Sequence, residues 1–245
     1  ALNSALAQNY PNLEVVVSND CSTDNTLEVL QEYKNNSKVK IFTNPKNLGR
    51  VANYKYTLEN YASGEWVVNL DGDDYFTDPA FISSAINLIA QTKDVVFLQA
   101  GHSVTGPGGA TLYDVVPSIN GEFQVVDGTE YFLGFNHFSH LGSIFNRHAS
   151  INTGFYQHDI LSADIECFLR LALNGKVILL RKPVGAWVHH GNNESKKLSI
   201  EAIEKNMLRF RSPYAYAKRS GKIPVNQLDM WLRKRTDEYL LNYLT

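Results

Sequence analysis

Hydrophobic positions along the chain fall into two periods, short β-branched runs and longer stretches with apolar residues every three or four positions. Leu13 to Val17 is a run of the buried-strand type, and Ser18 to Thr26 after it is a cluster of small polar residues suited to capping a helix over about 25–35. Val39 to Thr43 predicts a second strand, Asn44 to Gly49 a turn, 51–62 a helix and Glu65 to Leu70 a third strand. That alternation predicts a mainly parallel, doubly wound sheet with helices on its faces. Ala1 to Tyr10 reads as the end of a helix, with Leu2 and Leu6 on one side. Further on, the pattern predicts a helix to Ala90, a strand over 94–99, a loop over 101–121 and a strand over 142–146. A helix over 163–173, strands over 176–180 and 185–189, and helices from 199 onward with a break at 221–224 complete the reading.

Composition narrows the class. The chain has 245 residues, 44% hydrophobic and 20% charged, which is ordinary for a globular α/β protein and excludes a disordered or fibrous one. No apolar run approaches the roughly 18–20 residues that cross a bilayer. Cys21 and Cys167 are too few for a disulfide framework or a zinc site and read as reduced thiols of a cytoplasmic protein. The net charge of −2 hides an asymmetry: 196–235 holds eleven Lys or Arg against three acids, leaving −10 on the remainder. An acidic body argues against a nucleic-acid partner, because phosphate backbones need a broad cationic face. It still admits a phosphorylated ligand through a divalent cation.

The densest chemistry is Asp71-Gly72-Asp73-Asp74, where the third strand runs out. Ligands of open α/β sheets bind beyond the carboxyl ends of strands. Asp71 and Asp73, two apart on an extended chain, would point the same way, and carboxylates suit Mg²⁺ or Mn²⁺ with positions left for a diphosphate. A second acidic pair, Asp164 and Glu166, opens the 163–173 helix. The two lie about 200° apart around its axis, so one faces a pocket and the other is structural or exposed.

Tyr10 to Thr26, Asn47-Leu48-Gly49 and Ala62 to Asp74 together resemble family 2 glycosyltransferases of the GT-A fold, over about residues 1–195. The resemblance implies an α/β fold of GT-A type, with a nucleotide-binding part over 1–100, an acceptor part over 101–195 and a basic helical extension over 196–245. It implies metal-assisted, inverting transfer of a sugar from a UDP-sugar to a hydroxyl of a carbohydrate, glycoprotein or lipid-linked acceptor. Asp20 would recognise uracil, Asp71 the ribose region, and Asp73 the Mn²⁺ or Mg²⁺ that bridges the diphosphate. Asp164 aligns with the catalytic base. Trp187 to Ser195 resembles the family's closing motif, which puts His190 near the metal.

Ala163, Asn19 and the pair Tyr54-Lys55 depart from the family pattern, and the family's opening strand and loop have no counterpart here. The expectation is therefore the latter part of a longer polypeptide. A nucleotide-sugar binding module without turnover, and a metal-dependent phosphohydrolase or nucleotidyltransferase, stand as alternatives. Phe135, His137, Phe138 and His140 form an aromatic group that either stacks on a sugar or packs in the core. The basic C-terminal helices admit a homo-oligomer contact with Leu228, Trp231, Leu232, Tyr239, Leu240 and Tyr243 as its apolar face, an ordinary solvated helix pair packing on the body, or peripheral contact with the inner membrane face.

Overall fold

Neighbouring residues of the central strands feed two separate cores. Phe97, Phe145 and Val177 lie in one apolar cluster, while Leu98, Ile144 and Ile178 lie in the other, on the opposite face of the sheet. This is the period-2 alternation of strands buried on both sides. The computed structural model describes residues 1–134, 140–190 and 199–244. Its strands are β1 (Val15–Asn19), β2 (Val39–Thr43), β3 (Trp66–Val68), β4 (Tyr75–Phe76), β5 (Val95–Thr105), β6 (Thr111–Val115), β7 (Phe123–Asp127), β8 (Ser143–Asn146) and β9 (Lys176–Val188). The helices are α1 (Leu2–Leu6), α2 (Thr26–Gln31), α3 (Arg50–Asn60), α4 (Phe81–Ala90), α5 (Gly128–Gly134), α6 (Arg147–Thr153), α7 (Ala163–Ala172), α8 (Ile200–Asn206), α9 (Leu208–Ser220) and α10 (Val225–Leu244).

The α/β class holds, with helices on both faces, but the sheet is not mainly parallel. Among the described residues only β1–β2 and β5–β9 pair in parallel; β3–β8, β5–β8, β4–β9, β5–β6 and β7–β9 are antiparallel. The order β3-β8-β5-β9-β4 inserts β8 between two strands that precede it in the chain. Periodicity says which face a residue takes, whereas strand direction depends on the end of the sheet at which a connection re-enters. The stretch expected as a loop over 101–121 contains the end of β5 and all of β6, and the two strands expected over 176–189 are one continuous β9.

β1 and β2 form a two-stranded sheet of their own. Between β1 and β3 lies a cavity of about 580 Å³, walled by α3 residues such as Tyr54 and Leu58 and by Ile82 and Ile86 of α4. Glu14 bridges its lower end, accepting from Ser63 N at 2.6 Å and Gly64 N at 3.0 Å while pairing with Lys40 at 2.6 Å. Burial alone would raise the Glu14 pKa, but Lys40 and these donors outweigh it and hold the carboxyl at about 2.

The C-terminal helices belong to the larger core. Met207, Phe210, Ala217, Leu228, Trp231 and Tyr239 are buried in the cluster that also holds Phe97 and Phe168. Trp231 lies against Phe132 with centroids 4.3 Å apart. Leu228, Trp231 and Tyr239, expected on the face of a subunit contact, are instead buried in the body's own core; Leu240 is 38% exposed, and the Tyr243 side chain lies outside the described residues. No helix among the described residues is long and apolar enough to cross a membrane.

Candidate active site

The nucleotide-side loop is built around Asp20. Its Oδ1 accepts from Asn44 Nδ2 at 2.8 Å and Leu48 N at 2.9 Å, and its Oδ2 accepts from Gly49 N at 2.9 Å. Gly49 presents that amide from a left-handed backbone (φ 85°), which glycine adopts without a Cβ clash. Asp20 therefore organises the turn that starts α3, a role its position after a strand did not reveal. A carboxylate has about four lone-pair sites, so Oδ2 retains capacity for a further donor. Asn19, where the family carries an acid, is buried and accepts from Ser22 N and Ser22 Oγ through its Oδ1.

The acidic segment is a turn rather than an extended strand end, closed by Asp74 N donating to Asp71 O at 3.1 Å. Its three carboxylates consequently diverge, and the side-by-side placement of Asp71 and Asp73 expected from strand spacing does not occur. Asp71 accepts from the Tyr54 hydroxyl of α3. Asp73, half exposed, meets His190 Nε2 at 2.9 Å. Asp74 turns inward, 5% exposed, and accepts from Val188 N at 3.0 Å. Burial foremost, with the nearby Asp73 and Asp71 charges adding and the Val188 amide opposing, raises the Asp74 pKa to about 7.

Asp73 and His190 are 117 positions apart in sequence, and the structure brings them into contact. No group of three or more metal-type side chains exists among the described residues. One carboxylate and one imidazole, both partly open to solvent, fit a cation that takes its remaining ligands from a diphosphate, and do not fit an all-protein cage. His189 lies beside Trp187, with ring centroids 5.5 Å apart, whereas His190 reaches the acidic turn.

On the other side of the site, α7 separates its two acids as helical geometry requires. Glu166 is 1% exposed and chelated by Arg170, Nε to Oε1 at 2.6 Å and Nη2 to Oε2 at 2.8 Å. Ser212 Oγ of α9 adds a bond to Oε1 at 2.5 Å. Glu166 is structural. Asp164 stays partly exposed, with Oδ1 accepting from Ile165 N at 2.8 Å. Ser162 stands at the N-cap position of α7, yet its hydroxyl is taken by Asn206 and Arg209 of the C-terminal helices, which moor the start of the helix.

Tyr156 joins the two sides. It is buried, holds a left-handed φ of 58°, and its hydroxyl accepts from Asn69 Nδ2 at 2.8 Å and meets His140 Nε2 at 3.1 Å. Burial first, and then the charges of neighbouring groups that include Asp164 and Asp71, push its pKa well up. Both acids therefore lie within electrostatic reach of one side chain. A strained, buried tyrosine of this kind is typical of functional sites, and no motif marked it in the sequence. Tyr54, at a family arginine position, carried only the signal of that departure. Phe135, His137 and Phe138, and the closing motif beyond His190, lie outside the described residues.

The model for "Glycosyl transferase family 2" matches residues 1–147. Hyaluronan synthase of Pasteurella multocida is 30% identical over 206 residues, which are 82% of this chain and 20% of that protein. The chain thus spans about a fifth of the length of such a relative. Among solved structures, Staphylococcus aureus TarS 1-349 in complex with UDP-GlcNAc superposes with a TM-score of 0.70 at 21% identity, covering 94% of this chain and 65% of that one. The mannosyltransferase PcManGT from Pyrobaculum calidifontis, in complex with GDP-Man and Mn²⁺, gives a TM-score of 0.60 at 17% identity, covering 96% and 64%. The fold is of the GT-A type, and the chain belongs to glycosyl transferase family 2.

Proposed function

We propose that this chain carries the donor and catalytic sites of an inverting, metal-assisted glycosyltransferase that moves a sugar from a UDP-sugar to a hydroxyl of a growing glycan or polysaccharide. The observation that carries this reading is the 2.9 Å contact of His190 with Asp73, which joins two distant family motifs at the end of β3. The UDP-GlcNAc complex of TarS supports a uridine donor, and the Mn²⁺ complex of PcManGT supports a divalent cation.

In this reading Asp20 and Asp71 hold the nucleoside, Asp20 through the free capacity of Oδ2 and Asp71 through the oxygen that Tyr54 leaves open. Asp73 and His190 hold the cation end of the diphosphate. A bound Mn²⁺ or Mg²⁺ supplies Lewis-acid neutralisation of the leaving group. Asp164 accepts the proton of the acceptor hydroxyl as its oxygen attacks the anomeric carbon. The bond from that carbon to the phosphate oxygen breaks, UDP leaves with the electron pair, and configuration inverts. Removing a general base of this kind costs typically about 10²–10⁴-fold in rate. The acceptor we assign is a carbohydrate, whether free, protein-linked or lipid-linked. The compartment is the cytoplasm, in keeping with the free thiols Cys21 and Cys167.

Turnover of UDP-sugars and calorimetric binding of UDP with Mn²⁺ test the reading together. Asp164→Asn is expected to keep UDP affinity and lose about 10²-fold or more in kcat. Asp73→Ala is expected to lose metal-dependent UDP binding. A chain that binds UDP with metal but turns over no donor, with or without Asp164, would be a binding module instead. Release of free phosphate from UDP would favour the hydrolase alternative.

A further inference from the structure

We propose that Asp74 is a positioning residue, a clasp that sets His190 against Asp73. Asp74 is the one acid of the turn that points away from solvent, and two of its groups act at once. Its amide donates to Asp71 O at 3.1 Å, closing the turn on which Asp73 rides. Its carboxylate accepts from Val188 N at 3.0 Å, at the last residue of β9, and His190 follows two residues later.

The need for such a clasp follows from the strand pairing. On one edge, β9 is held to its end by β5, with Thr105 opposite Val188 and His189 N donating to Thr105 O at 2.7 Å. On the other edge, β4 pairs only through Tyr75 with Ala186 and Phe76 with Gly185, and stops short of Val188. The Asp74 carboxylate stands where a β4 carbonyl would otherwise continue the ladder. It thereby fixes the direction in which the end of β9 delivers the histidines that follow it. The His190–Asp73 contact cannot set that geometry itself, because its side chains are 32% and 50% exposed and a solvent-exposed pair contributes little. The bond from Asp74 is better shielded, since Asp74 is only 5% exposed.

The consequence for metal binding rests on the proposed function, so the test has two readouts. The first is the NMR signal of the His190 imidazole at one fixed pH in metal-free protein, in wild type, Asp73→Asn, Asp74→Ala and Asp74→Asn. The second is the affinity for Mn²⁺ in the presence of UDP, by electron paramagnetic resonance. Asp74→Ala is expected to move the His190 signal to where Asp73→Asn puts it and to weaken Mn²⁺ binding about tenfold. Asp74→Asn keeps an oxygen for the Val188 amide and is expected to match wild type in both. Should Asp74→Ala not fold, Asp74→Leu, which fills the same space without an acceptor, takes its place. A wild-type His190 signal in the Ala or Leu variant overturns the clasp, as does an Asn variant that behaves like Ala. A wild-type chain that binds no Mn²⁺ with UDP counts against the metal site alone, since the His190 signal still decides the clasp.

Discussion

At Cys21 the chain turns through a left-handed backbone, φ 61°, immediately after the residue that anchors the nucleotide-side loop. For a residue with a Cβ this conformation costs roughly 1–2 kcal/mol. Glycine would relieve the strain and lose part of the gain to its freer unfolded chain. Cys21→Gly is therefore expected to stabilise the protein by about 1 kcal/mol, a rise of about 2–4 °C in Tm for a chain of this size. Thermal unfolding followed by circular dichroism checks it, and an unchanged or lower Tm would show that the thiol packs better than its backbone suggests. The same scale shows why motif reading stops short of roles. The position of Asp20 was legible, yet its bonds to Asn44, Leu48 and Gly49 depend on a turn more than twenty residues away.

At the scale of elements, α7 orients the proposed base by burying its other acid. Arg170 holds Glu166 in two bonds and also donates to the carbonyls of Thr153 and Gly154 at the end of α6. Ser212 brings α9 to the same carboxylate. Removing one member of a buried pair leaves an uncompensated charge, typically about 3–5 kcal/mol, whereas replacing both with apolar residues is often close to neutral. Glu166→Gln is therefore expected to lose about 3–5 kcal/mol by urea unfolding. The double variant Glu166→Met/Arg170→Met should recover most of that loss. Additive losses in the double variant would show that the network acts through its separate hydrogen bonds and not as a charge pair.

At the scale of the whole molecule, the last three helices complete the core. Burial of Phe210, Leu228, Trp231 and Tyr239 is worth about 1.5–3 kcal/mol for each large side chain. Together that rivals the about 5–15 kcal/mol by which native proteins exceed their unfolded states. Asn206 and Arg209 also hold Ser162, at the head of the helix that carries Asp164. A chain ended at Ser199 is expected to lose its cooperative thermal transition and to bind hydrophobic dyes. A sharp, two-state transition in that truncated chain would show that the helices are an accessory after all.

The sequence by itself determined the alternation of strands and helices, the acidic segment at the end of β3, and the family. Those follow from local pattern, which chemistry within a few residues enforces: β-branched runs for strands, small polar residues for caps, carboxylates where a strand ends. It also determined that Asp164 and Glu166 face different ways, since helical pitch alone requires it. Only the tertiary structure decided which of the two is buried, because Arg170 is near in sequence but Ser212 and the α6 carbonyls are not. Likewise it decided that the acidic segment is a turn sending Asp71, Asp73 and Asp74 to Tyr54, His190 and Val188. Strand direction belongs with these: β8 slots antiparallel between β3 and β5 through pairings 44–80 residues apart, whose geometry no local period encodes.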